Sequence, residues 1–286
     1  MQVRHKQQKD ENFPVAGLLI RSSLRRVVNA YYKAARYCDD IADSPSLSSQ
    51  EKIERLNRIE SIFLGYEKND CPKELLFIKE LREIFNQESL DTSLFTDLLV
   101  AFKQDSRGYI YETWEQLLEY CSYSAAPVGR FMLAIHDENM STYLPAGVVC
   151  AVLQIVNHVQ DIKYDATVQN RIYVPKSLLQ KFQVAETDLS AEHASENLKN
   201  LVNDMCQTMQ DMLKDVAVLP SIIRSLRLRM QVCVIFSLTN IMLQKLKKAD
   251  ILQRQVKLSK FDWLKAASSG VFRALFTKVR ISGTSL

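Results

Sequence analysis

Asp39, Asp40 and Asp43 lie within the run Asp-Asp-Ile-Ala-Asp, at the end of an apolar and aromatic stretch that includes Tyr31, Tyr32, Ala34, Ala35 and Tyr37. On a helix, positions three and four apart share a face, so these carboxylates converge. Like charges at that spacing repel, and negative charge near a helix C-terminus opposes the macrodipole. A cation between them removes the cost, whereas a solvated helix end is the plain alternative. A second group favours the cation. Asn157, Asp161 and Asp165 stand at i, i+4 and i+8, drift about 40° per step, and form a polar stripe roughly 12 Å long that Gln154 extends by one turn. Val152, Leu153, Ile155, Val156 and Val159 flank it, so the helix is expected to be buried. Buried carboxylates need compensation, and hard oxygen donors at this spacing suit Mg²⁺, which takes a few carboxylates together with substrate phosphates. Two facing stripes suggest a diphosphate held between them.

Other chemistries are poorly supported. Asp204, Asp211 and Asp215 also share a helix face, but their neighbours Asn203, Gln207, Thr208, Gln210 and Lys214 mark a solvated side. The histidines (His5, His136, His158, His193) are scattered, and His158 sits about 100° around the helix from Asn157, which suits packing or support of a ligand better than ligation. There is no nucleophile elbow, phosphate-binding glycine loop or dinucleotide fingerprint. The net charge of +4 is too mild for a nucleic-acid binder. Cys38, Cys71, Cys121, Cys150, Cys206 and Cys233 include no CxxC pair, as expected of reduced thiols in a cytosolic protein. The polar N-terminus shows no signal peptide, and the longest apolar run, Val148 to Val156, is broken by Gln154 and too short to span a bilayer.

The elements that must position these residues are helices. Glycine and proline together make up about 5% of the 286 residues, against an average near 12%, and 47% of the chain is apolar. That argues against strand-rich and dinucleotide-binding folds and against disorder. Periodicity predicts helices over about 24–42, 50–64, 73–85, 93–105, 113–136 with an interruption at Pro127, 145–164, 189–216, 221–249 and 261–280. The expectation is one all-α domain over residues 1–286, with roughly eight to ten helices. In the last helix Leu264, Ala267, Val271, Leu275 and Val279 recur at helical spacing beside Phe272 and Phe276, with Lys265, Arg273, Lys278 and Arg280 adding positive charge. An ordinary packing helix with a basic solvated side leads on sequence alone; a peripheral membrane contact stands beside it.

With both acidic motifs in view, the chain resembles the squalene/phytoene synthase family of head-to-head prenyl synthases from about Asn12 to Leu264. Asp39–Asp43 is similar to the family's first aspartate-rich motif, Asn157/Asp161/Asp165 to its second, and Tyr120–Arg130 to the segment between them. Glu11–Ala16, Ser124–Gly129, Gln160 before Asp161, Arg171–Pro175 and Leu258–Phe261 resemble the bacterial hydroxysqualene synthase branch. One departure is Asn170, where a glycine commonly precedes the arginine. The resemblance implies an isoprenoid-synthase-type helical bundle around a central apolar cavity. It also implies Mg²⁺ on Asp39, Asp40, Asp43, Asn157, Asp161 and Asp165, and conversion of presqualene diphosphate to hydroxysqualene in squalene and hopanoid biosynthesis. Catalytic roles then fall to Asp39, Asp43, Asp161, Asp165 and Tyr120, and substrate binding to Arg36, Gln154, Asn157, Arg171, Phe13, Ala125 and Gly129. Arg36 could equally be an ion-pair partner of Asp40, and Arg171 a solvated connector residue. Phe13, Tyr31, Phe131 and Leu153 could line the cavity or simply pack, while Ser124, Ala125, Ala126 and Gly129 would leave room for a long chain. The implied setting is cytoplasmic, on the inner face of the membrane if the last helix binds there, alongside other squalene-pathway enzymes. Condensation of two farnesyl or geranylgeranyl diphosphates, a non-catalytic assembly factor and a generic helical membrane module remain as alternatives.

Overall fold

The computed structural model describes residues 22–67 and 71–277, and among them no strand is present. The α-helices are α1 (Arg25–Ala42), α2 (Ser49–Leu64), α3 (Leu76–Gln87), α4 (Ser93–Arg107), α5 (Trp114–Ser124), α6 (Ala126–Ala134), α7 (Tyr143–Tyr164), α8 (Lys176–Lys181), α9 (Glu196–Asp215), α10 (Leu219–Ile222), α11 (Leu226–Leu246) and α12 (Lys260–Phe276). Segments expected to be continuous are divided where capping chemistry intervenes. The 189–216 helix begins only at Glu196, because Ser195 accepts from the Leu198 amide. The 221–249 helix begins at Leu226, capped by Ser225, after the separate turn of α10. The bend expected at Pro127 falls at Ala125, which leaves Pro127 in the first turn of α6, where its missing N–H costs nothing.

Two apolar cores flank the mouth of the site. One is built from α1 to α4 and the inward face of α6, and the other from α5, α7, α9, α11 and α12. In the first, Tyr31 stacks on Phe131 at 3.9 Å between ring centroids and donates its hydroxyl to the Leu94 carbonyl at 2.6 Å. Tyr31 and Phe131 are therefore core residues rather than cavity walls. α6 and α7 approach closely because the helix surfaces are small: a Cβ on Gly129 would lie 2.6 Å from Cys150 Sγ, and one on Gly147 would lie 3.4 Å from Ala126 Cβ. α12 packs on α11 through Ala266, Gly270 and Ala274.

Candidate active site

α1, α4, α5 and α7 bring their polar residues to one end of the bundle, where the segments 167–173 and 251–255 complete the wall of a cavity of about 880 Å³. Its lining includes Arg36, Asp39, Asp40, Asp43, Tyr120, Gln154, Asn157, Asp161, Asp165 and Arg171, so ten residues singled out in the sequence meet in one space. Phe13 lies outside the described residues. Ala125 and Gly129 are not in the lining; they sit at the α5–α6 break and in the α6–α7 contact. The expected apolar character comes here from Pro45, Val168, Ile251 and Leu252, together with the rings of Tyr120, Tyr164 and Tyr173. Asp204 and Asp211 face solvent, paired with Lys181 and Lys214.

The first acidic motif is answered by arginines. Arg36 donates to Asp39 at 2.8 Å and to Asp40 at 2.6 Å, so the ion-pair reading of Arg36 holds in this structure. Arg171, whose side chain is only 10% exposed, donates to Asp43 Oδ1 at 2.6 Å, to the Ala42 carbonyl at 2.8 Å and to the Asp105 carbonyl at 3.2 Å. It is a clamp on the end of α1, not a solvated connector residue. Even so, burial first and Asp43 second push the Asp39 carboxyl up to about 7, with Arg36 opposing the rise. Burial alone would lower the Arg171 pKa, but Tyr173, Asp105 and Asp43 carry it above the ordinary guanidinium value, so Arg171 is charged.

The second motif is placed by the end of α7. The helix runs on into a π-turn over Asp165–Gln169 and stops at Asn170, which is left-handed at φ 52° and ψ 44°. This is the conformation a glycine would take there, and asparagine tolerates it better than most residues. The turn closes through the Arg171 amide onto the Asp165 carbonyl at 2.9 Å, and so points Arg171 back towards α1. Gln255 donates to Asp161 at 2.5 Å, and the Gln160 side chain ties α7 to the Val256 carbonyl at 2.6 Å. His158 bridges Gln154 (3.2 Å) and Asp165 (3.4 Å), and its ring stacks on Tyr173 at 3.5 Å. The supporting role expected of His158 is the one its contacts describe.

Asp105 is the residue the sequence did not mark. It ends α4 within Gln-Asp-Ser-Arg, with no periodic partner to distinguish it, yet its two oxygens accept from Tyr120 (3.0 Å) and Tyr173 (2.9 Å). Burial raises its pKa, against the pull of Arg171 and the two phenols. Burial and the Asp105 charge also hold Tyr120 and Tyr173 protonated, so both remain donors. Arg254 was missed as well; it is an exposed cation in the 251–255 wall, far in sequence from either motif.

Among the described residues, no three acidic, imidazole or thiol side chains converge into an all-protein metal cage. The donor set still fits Mg²⁺ held partly by a ligand, since it is all oxygen and split across a cavity, and burial together with Asp43 pushes Asp39 towards neutrality.

The chain matches the squalene/phytoene synthase family model over residues 6–262. It is 33% identical to a hydroxysqualene synthase of Sinorhizobium fredii over 90% of this chain and 86% of the relative. It is also 33% identical to one of Rhodopseudomonas palustris over 97% and 94%. Among solved structures, a squalene synthase of Alicyclobacillus acidocaldarius aligns with TM-score 0.72 and 26% identity, covering 84% of this chain and 90% of that one. A dehydrosqualene synthase aligns with TM-score 0.76 at 21% identity, over 91% and 90%, a likeness of fold.

Proposed function

The chain belongs to the squalene/phytoene synthase family, whose members process prenyl diphosphates, and from that premise we propose that it converts presqualene diphosphate and water to hydroxysqualene and diphosphate in a Mg²⁺-dependent reaction. The observation that carries the reading is the meeting of both acidic motifs and three arginines around one cavity. The likeness to hydroxysqualene synthases supports the choice of substrate.

Asp39, Asp40, Asp43, Asn157, Asp161 and Asp165 would hold the metal, with Asp40 nearest solvent. When bound, Mg²⁺ supplies positive charge that neutralises the departing diphosphate. Arg36, Arg171 and Arg254 are the arginines in the cavity wall, and each guanidinium is suited to phosphate oxygens. The C–O bond to diphosphate breaks with its electron pair on the leaving group, and the resulting carbocation rearranges. Tyr120 and Tyr173 line the cavity, and Asp105 fixes both rings through their hydroxyls. A water oxygen then bonds to the final cation and loses a proton. No reductant enters this balance.

Incubation of the purified protein with presqualene diphosphate and Mg²⁺, without NADPH, tests the proposal. Hydroxysqualene is the expected product. Consumption of farnesyl diphosphate instead, with presqualene diphosphate untouched, would assign the chain to the condensing enzymes. The setting proposed with this activity is the cytoplasm, next to enzymes that supply presqualene diphosphate and consume hydroxysqualene.

A further inference from the structure

α12 has its large apolar side chains on the outside. The small residues Ala266, Gly270 and Ala274 face α11, and a Cβ on Gly270 would meet the Val234 backbone nitrogen at 2.7 Å. The stripe expected from sequence to pack (Leu264, Ala267, Val271, Leu275) is thus displaced by an inner face small enough for backbone contact; Val279, Lys278 and Arg280 lie outside the described residues. At 100° per residue Phe261, Leu264, Phe272, Leu275 and Phe276 fall within about 60° on either side of one direction, opposite Gly270. Phe261, Leu264, Phe272 and Phe276 are between 65% and 72% exposed, and Phe272 and Phe276 lie 4.5 Å apart between centroids.

We infer that this stripe rests on an anionic lipid bilayer, with α12 lying in the plane of the headgroups. The charges select that occupant. Lys260, Lys265 and Arg273 are exposed on the helix, while its only acidic residue, Asp262, is turned inward to Lys245 and the Ser259 cap. An apolar stripe with Lys265 between Phe272 and Phe276, and with Lys260 and Arg273 on its two flanks, suits a surface that is apolar within and negative at its face. A second copy docked stripe to stripe would instead bring lysine and arginine together with no acid on either helix to answer them. α7 and α11 are long and apolar enough to span a membrane, but both belong to the core, so the contact is peripheral.

The location gives the contact a use, and this step rests on the proposed lipid substrate. α12 follows directly on residues 251–257, which form a wall of the cavity through Gln255 and anchor α7 at Val256. Docking α12 sets that wall beside the bilayer, where a C30 substrate and its water-insoluble product would reside.

The test is co-sedimentation of the full chain with vesicles, which needs no turnover and so stands apart from the assignment of the reaction. On phosphatidylcholine containing about one third phosphatidylglycerol, the protein is expected to bind at least about tenfold more tightly than on phosphatidylcholine alone, and to be released by salt. Phe272→Ser with Phe276→Ser should weaken binding by about tenfold or more. Lys265→Glu with Arg273→Glu should abolish the preference for the anionic lipid. Both pairs should keep the wild-type melting temperature and turnover of detergent-dispersed substrate. Wild-type protein that stays in the supernatant with anionic vesicles overturns the inference, as does a wild-type dimer that the phenylalanine pair dissolves. Vesicle binding unchanged in both pairs overturns it equally.

Discussion

The two acidic motifs face the same cavity but are held in opposite ways. On α1, Asp39 and Asp40 share Arg36, and Asp43 is bound by Arg171. On α7, Asp161 accepts from the neutral amide of Gln255, and Asp165 meets the imidazole of His158. The first motif has its counter-charge built in, and those same guanidinium groups are the natural partners of an incoming diphosphate. Under the proposed function, loading the site would reassign Arg36 and Arg171 from carboxylate to phosphate and leave Asp39, Asp40 and Asp43 for metal. The second motif carries a glutamine amide on Asp161 and an imidazole on Asp165. Burial, and after it the neighbouring Asp43, push the Asp39 carboxyl up to about 7 against the pull of Arg36.

Substitution of one carboxylate in each motif breaks the comparison most strongly. Asp39→Asn and Asp161→Asn should each lower Mg²⁺-dependent turnover by about 10³-fold or more, with the helical circular dichroism unchanged. Near-wild-type rates in both would sink the metal assignment. Asp39→Asn should also change the stability of the metal-free protein. The Asp39 carboxyl is held up at about 7 in the fold against an ordinary 3.8, so the fold favours its protonated form. The stability this group contributes is complete below about pH 4 and is lost as pH rises through about 7. The metal-free wild type should melt progressively lower across that window. Asp39→Asn, uncharged throughout, should show a flatter profile and melt above wild type at pH 8. Calorimetry from pH 5 to 8 reads this directly, and parallel profiles for wild type and Asp39→Asn would show that the fold does not hold the Asp39 carboxyl up.

Arg171 joins the two motifs, so its replacement should affect both fold and rate. Arg171→Gln leaves Asp43 and two carbonyls without their donor and should cost roughly 2–3 kcal/mol, together with a fall in turnover of about 10²-fold. Arg171→Lys keeps the charge but not the fork, and should recover the stability better than the rate. A lysine variant with full activity would mean that charge alone is required.

The acidic stripes were legible because regular helices turn spacing into position: Asp39, Asp43, Asn157, Asp161 and Asp165 needed only a 3.6-residue period to be placed on shared faces. Their common cavity followed only from a resemblance, since nothing in either helix dictates that α1 and α7 end together. What could not be read is what depends on contacts between distant segments. Asp105 is marked by Tyr120 and Tyr173, which are 15 and 68 residues away, and Gln255 by Asp161, 94 residues away. α12 was misread for a related reason. Its large apolar residues have the periodicity of a packing face, but α11 approaches so closely at Val234 that only glycine and alanine fit, and the large side chains are turned outward. Gly270→Ala tests that directly. The new methyl meets backbone rather than a flexible side chain, so it should cost about 1–3 kcal/mol and leave the cavity residues in place, seen as a lower melting temperature with turnover nearly unchanged at low temperature.

The smallest effect sharpens how the second motif is aimed. Asn170 departs from the glycine common at its position, yet it adopts the left-handed conformation, and the amide that follows closes the π-turn onto Asp165. Two quantities compete when it is replaced. A Cβ methyl as in alanine strains the left-handed backbone by about 1 kcal/mol, and asparagine relieves part of that strain by local hydrogen bonding. Glycine removes the strain but leaves more freedom in the unfolded chain, so the two terms nearly cancel. Asn170→Ala should therefore lower stability by about 1 kcal/mol, and Asn170→Gly should stay within about 0.5 kcal/mol of wild type. Because the turn carries Arg171 at its exit, the alanine variant should also lose several-fold in turnover while the glycine variant does not. An alanine variant as stable and active as wild type would mean that Arg171 is held by Asp43, Ala42 and Asp105 alone. The departure at Asn170 would then have no bearing on how the cavity is built.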